Sequence, residues 1–125
     1  DMNITLWILQ AVIAITFTYS GICKLTLSIP KMVALGQTGV EIVPLSLVRF
    51  IGISEILGSI GLILPGLIGV MPFLVVAAAI GIGVIMVPAS AIHVSRKEFK
   101  AVLGNTVVLA ICLIIACGRS YLLKN

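Results

Sequence analysis

The chain has 125 residues, of which 61% are apolar and 10% charged, with a formal net charge of +4 and a mean hydropathy of +1.32. Soluble domains are about 45–50% apolar and about 25% charged, and a small domain buries only about two-thirds of its unfolded surface. A soluble fold is therefore excluded, and the composition specifies an integral membrane protein with a single four-helix transmembrane domain over residues 1–125.

In chain order the first span is expected at about 4–25, with Trp7 and Tyr19 towards its two ends, where these side chains favour the interface. It has no basic n-region and no small-residue cleavage site, so it reads as a retained span rather than a signal peptide. Asn3 and Thr5 are candidate caps, and Met2 reads as the native start. A loop over 26–45 carries Pro30, Gly36, Gly39 and Pro44, with room for a short interfacial helix around Lys31–Leu35. The second span is expected at about 46–64, closed by Pro65-Gly66 as a tight turn. The third is expected at about 67–92, with Pro88 inside it predicting a kink. A charged loop from Ser95 to Lys100 leads to a fourth span at about 101–122.

Four spans place the first and third loops on one side. That side holds Lys24, Lys31, Arg49, Arg96, Lys97 and Lys100, against Arg119 and Lys124 on the other. The positive-inside rule then puts loops 26–45 and 94–100 in the cytoplasm and both termini outside.

The most informative residue is Glu55, a lone carboxyl inside an apolar span. An acidic group near a helix centre costs roughly 2.5–3.5 kcal/mol to insert, so it is expected to be paired, turned inward or part of a pathway. At 100° per residue, Thr16, Ser20 and Lys24 share one stripe of the first span, with Cys23 beside them. Gly52, Glu55 and Ser59 share a face of the second, with Arg49 at its border; Gly83, Met86, Ser90 and His93 share one in the third. Asn105, Leu109, Cys112 and Ala116 do so in the fourth. Inward-facing stripes of small and polar residues make a four-helix bundle the simplest assembly.

Lys24, Arg49, Glu55, His93 and Asn105 all approach the charged-loop side. They are the candidate lining of a polar cavity, with Glu55 about 13 Å deep at 1.5 Å per residue. Thr16, Ser20, Gly52, Ser59 and Ser90 would support it. Structural alternatives stand beside each reading: Glu55 locks the bundle through Lys24 or Arg49, Lys24 and Arg49 snorkel to headgroups, His93 is an interfacial histidine, and Asn105 serves as interhelical glue. Arg49 and Glu55 are six positions apart, about 120° on an ideal helix, so their direct pairing needs long side chains. Cys23, Cys112 and Cys117 lack metal-ligand spacing, and with a single His there is no metal or haem signature. No nucleophile–base pair is recognisable, so no catalytic residue is assigned and independent enzymatic activity is not expected. No basic tract with interleaved aromatics points to nucleic acid.

The stretch Ser20-Gly21-Ile22-Cys23-Lys24-Leu25 and the later Val48-Arg49-Phe50-Ile51-Gly52-Ile53-Ser54-Glu55-Ile56-Leu57-Gly58, with Gly61-Leu62-Ile63-Leu64-Pro65, carry a resemblance. Together with His93 before a basic loop and Asn105 early in the last span, they resemble the DoxX-like family of small four-span membrane proteins. The resemblance implies a bacterial inner-membrane protein, with Lys24, Arg49, Glu55, His93 and Asn105 as family-pattern positions. Some relatives are named as small subunits of quinone-linked oxidoreductases, and distant ones resemble assembly chaperones.

Three functions follow as expectations. The first is a non-catalytic subunit that binds a quinone- or lipid-like molecule and works with a partner oxidoreductase. Lys24, Arg49 and His93 would then donate to a ligand oxygen, with Glu55 as proton acceptor. The second is an assembly or chaperone-type partner of another membrane protein, with a structural polar core. The third is a small proton-coupled transporter, disfavoured because the chain is only 6% aromatic. Membrane lipid is an expected partner in every case, no intrinsic cofactor is expected, and a homo-oligomer is left open.

Overall fold

A computed structural model describes residues 1–124. Every regular element among the described residues is a helix: α1 (Met2–Thr26), α2 (Ile29–Ala34), a 3₁₀ turn (Thr38–Ile42), α3 (Leu45–Ile68), α4 (Phe73–Ser95) and α5 (Phe99–Lys124). Four of them, α1, α3, α4 and α5, are long and apolar enough to cross a membrane, as the hydropathy requires. In hydrocarbon every backbone polar group must be bonded within the segment, so a continuous helix is the default solution for these runs.

The helices run alternately up and down. α1 packs along α3, α4 packs along α5, and smaller α3–α4 and α1–α5 contacts close the bundle. The core is contributed by all four: Ile13 and Phe17 from α1, Leu62 from α3, Ala79, Ile82 and Met86 from α4, Cys112 and Ile115 from α5. Ile15, Phe50, Leu57, Val84 and Leu103 point outward. Lipid tails are as apolar as these side chains, so the outward positions carry no burial drive. Association rests on close packing and on interhelical polar contacts.

Asp1 caps α1, its carboxylate accepting from the Asn3 amide at 2.9 Å, while Thr5 Oγ1 donates back to the Asp1 carbonyl. The cap therefore lies two positions before Asn3 and four before Thr5, the two expected. The second span also differs from its expectation. Pro65 does not end it; Pro65 sits inside α3, and the helix continues to Ile68. The stop is at Gly69, with φ 67, where the Val70 amide bonds back to the Pro65 carbonyl at 3.2 Å. This is a glycine cap of the Schellman type. A proline removes one amide donor, which a membrane helix tolerates; ending the helix there would have orphaned several carbonyls in hydrocarbon. The turn Val70-Met71-Pro72 then starts α4, which runs unbroken past Pro88 to Ser95.

The loop between α1 and α3 is folded. Met32, Val40 and Val48 form a small second core, with Leu27, Ile29, Val33 and Val43 against it. It seats α2, predicted as the short interfacial helix, and the 3₁₀ turn over the start of α3. The Gln37 amide bonds to the Met32 carbonyl at 2.9 Å, which fixes where the Gln37 side chain enters the bundle.

Candidate functional site

The site begins with a backbone contact. α1 and α3 cross at Gly21 and Gly52 so closely that a Cβ on Gly21 would lie 2.7 Å from the Gly52 carbonyl oxygen. A Cβ on Gly52 would lie 2.9 Å from both the Gly21 carbonyl oxygen and the Lys24 Cβ. Backbone atoms cannot yield, so only glycine permits this approach. One helical turn beyond each glycine stand Lys24 and Glu55, and the close crossing brings them together.

Lys24 Nζ lies 3.1 Å from Glu55 Oε1 and 3.3 Å from Oε2. Glu55 is 2% exposed, while the Lys24 side chain keeps 16%. Ser20 Oγ donates to Glu55 Oε1 at 3.0 Å and accepts from Lys24 Nζ at 2.6 Å. Gln37 Nε2, arriving from the loop, donates to the same Ser20 oxygen at 3.1 Å. Ser59 donates to the Glu55 carbonyl at 2.9 Å. A buried ion pair is tenable when its lone pairs and protons are satisfied in this way. At this site Gln37 Oε1 is buried and accepts no hydrogen bond from the described residues. Such an orphan costs about 1–3 kcal/mol.

Arg49 does not pair with Glu55. Its Nη1 donates to the Lys24 carbonyl at 2.7 Å and the Leu27 carbonyl at 2.8 Å. It thus satisfies carbonyls at the end of α1 that have no helical partner. His93 is turned to the surface loop, with Nδ1 2.9 Å from Glu98 Oε1. Arg96 bonds Glu98 at 3.3 Å and Glu41 at 2.6 Å. These bonds clamp the 3₁₀ turn to the α4–α5 connection. Hydrogen bonds from Thr38 and His93, with Arg96 close by, hold the Glu98 carboxyl below the usual carboxylate range.

Of the residues singled out from sequence, Lys24, Glu55, Ser20, Gly52 and Ser59 therefore meet. Arg49 braces the backbone beside them, and His93 belongs to the neighbouring surface clamp. Asn105 is half-buried on α5 and joins neither network. Thr16 is exposed on α1, its hydroxyl donating to its own helix at the Val12 carbonyl. Ser90 is half-buried on α4. A stripe drawn at 100° per residue is about a third of the helix surface, so its edge members point to lipid when the crossing is rotated. No group of three or more His, Cys, Asp or Glu among the described residues could hold a metal ion.

A second polar cluster lies at the other end of the bundle and was not apparent in the sequence. Gln10 is fully buried; its Nε2 donates to the Leu62 carbonyl at 2.6 Å and its Oε1 accepts from Arg119 Nε. Arg119 Nη1 reaches Asn3 Oδ1 at 2.7 Å, and the guanidinium lies 5.3 Å from the Trp7 ring centroid, within cation–π range. Gln10 is uncharged and 109 residues from Arg119. The available signal was depth: both sit near the terminus side of spans running in opposite directions.

Two apolar clefts open on the bundle surface. One of about 470 Å³ lies between α3 and α4, bounded by Leu57, Gly61, Leu64 and Ala78. One of about 170 Å³ lies between α4 and α5 near Gly83 and Cys112. Neither is lined by residues of the Lys24–Glu55 network.

The fold and this interior define a polytopic membrane protein: a four-span helical bundle whose first and second spans, α1 and α3, are joined by a buried ion pair towards the end that carries the α1–α3 loop. The chain belongs to the DoxX-like family, whose family model matches residues 8–115. No curated protein and no solved structure matches it.

Proposed function

We propose that this chain is a small bacterial inner-membrane subunit. It holds the head group of a quinone- or lipid-like molecule at the Lys24–Glu55 end and works beside a partner oxidoreductase. The observation that carries this reading is the ammonium–carboxylate pair of Lys24 and Glu55, at 3.1 Å and almost fully buried, with the buried amide oxygen of Gln37 beside it. Polar groups at such a depth are expensive and usually mark a pathway or a site. In this reading Lys24 and Glu55 face the head group and Arg49 braces the backbone beside them, while His93 and Asn105, expected with them, stand apart from the pair, and loops 26–45 and 94–100 lie on the cytoplasmic side. Ser20, Gly52 and Ser59 hold the pair in place. The chain contributes binding and orientation; electron transfer belongs to the bound molecule and the partner.

A second reading is an assembly partner whose polar core is structural. It is favoured by one specific observation, that Lys24 and Ser20 already satisfy the Glu55 carboxylate within the bundle. Native mass spectrometry of protein purified in lipid nanodiscs separates the two. The binding reading predicts a stoichiometric quinone or lipid on the wild type that is lost in Glu55→Gln. A bare chain in both samples, with a membrane protein still attached, would contradict it and favour the assembly reading.

A further inference from the structure

Hydrogen-bond accounting at the Lys24–Glu55 site leaves an excess of one kind. Ser20 Oγ has one proton and two lone pairs, and all three are used: it donates to Glu55 and accepts from Lys24 and Gln37. The three protons of Lys24 are directed at Ser20 Oγ and the two Glu55 oxygens. Because Ser20 has no proton left to give, Gln37 must present its NH₂ to Ser20, and the carbonyl of its amide faces away. That oxygen is buried and accepts nothing. Arg49 Nη1 is given to two backbone carbonyls and His93 Nδ1 lies against Glu98, so neither of these nitrogens serves the Gln37 oxygen. The sequence suggested a cluster of donors awaiting a carbonyl; the geometry presents an acceptor awaiting a donor.

We infer that Gln37 selects a head group carrying a hydroxyl over one carrying only carbonyl oxygens. This rests on the binding reading above. The shared chemistry is an O–H donor next to an apolar tail, which a hydroquinone or a hydroxyl-bearing lipid headgroup supplies. Gln37 immediately precedes the 3₁₀ turn, and its amide oxygen is covered. Entry therefore requires the 37–42 segment to move, against the Arg96–Glu41 bond of 2.6 Å. Gln37 lies outside the spans, which makes its substitution compatible with an intact bundle.

The test uses the full chain in phosphatidylcholine nanodiscs, whose headgroups have no donor. Decyl-hydroquinone and the matching decyl-quinone are titrated separately under anaerobic conditions, with occupancy read by native mass spectrometry for wild type and Gln37→Met. Wild type should prefer the hydroquinone by about tenfold, the worth of roughly one well-made hydrogen bond. Gln37→Met should reduce that preference to within about twofold. In phosphatidylglycerol nanodiscs, a retained phosphatidylglycerol lost in Gln37→Met would support the inference and assign the hydroxyl to lipid. Equal affinity for the two redox forms, or a preference that survives Gln37→Met, overturns the inference and leaves the binding reading standing. Binding of neither form, with no retained lipid, overturns both. If Gln37→Met fails to fold, Gln37→Leu takes its place with the same expected loss of preference.

Discussion

At the loop end of the bundle, Lys24 and Glu55 bring opposite charges into contact beneath a folded loop. At the terminus end, Arg119 pairs with no acid among the described residues and is met by the neutral oxygens of Gln10 and Asn3 and the face of Trp7. Both ends tie α1 to a neighbouring helix through polar atoms. The difference lies in what a broken contact leaves behind. A lone guanidinium near a helix end can extend towards the headgroups. Glu55, on a short side chain with 2% exposure, cannot reach water. The loop end is therefore the end at which a charge pair is held under constraint, although each end buries one polar atom with no partner among the described residues, Gln37 Oε1 and Arg119 Nη2.

The comparison is broken most strongly by Lys24→Ala. It leaves a buried carboxylate without its cation, and loss of about 3–5 kcal/mol of stability is expected, measured by unfolding in bilayer discs. A smaller loss is expected for Gly52→Ala, about 1–3 kcal/mol, because the added methyl meets the Gly21 carbonyl and the Lys24 side chain. Its loss should not add fully to that of Lys24→Ala, since both act on one crossing. Gln10→Leu probes the terminus end and should be milder, about 1 kcal/mol, because Arg119 retains Asn3 and Trp7. A loss equal to that of Lys24→Ala would erase the distinction between the ends.

The smallest expected effect concerns the surface clamp. Arg96→Ala should change stability by under about 1 kcal/mol, yet raise hydrogen exchange of amides 38–42. The same amides report on pH. The Glu98 carboxyl is held low by Thr38, His93 and Arg96, so its contribution is complete above the ordinary carboxylate value. It is lost as pH falls through the lowered one. Exchange in 38–42 should therefore rise only at pH below the usual carboxylate range. A rise beginning above that range would refute Glu98 as its cause.

The four spans were legible because long apolar runs admit no other structure. The pairing of Lys24 with Glu55 was legible as one of two options, since each is a rare charge at the same depth. What decided against Arg49 was the Gly21–Gly52 crossing, a tertiary contact that lets Lys24 arrive first. Thr16 shows the limit of a helical wheel: it shares a stripe with Ser20 yet faces outward, because crossing angle and rotation are set by the partner helix. Pro65 looked like a stop by local rules, and backbone satisfaction in hydrocarbon overrode them. Gln37 and Gln10 were missed for a common reason. Neutral amides carry no insertion signal strong enough to stand out, and the position of Gln37 depends on how the whole 27–44 loop folds onto Val48.

The central claim is that Lys24 and Glu55 act as one unit that joins α1 to α3. A double-mutant cycle of wild type, Lys24→Met, Glu55→Gln and the double variant, unfolded in bilayer discs, tests it most directly. The account predicts a coupling of about 2 kcal/mol or more, with the double variant more stable than Lys24→Met alone. Additive losses from the two single variants would contradict it.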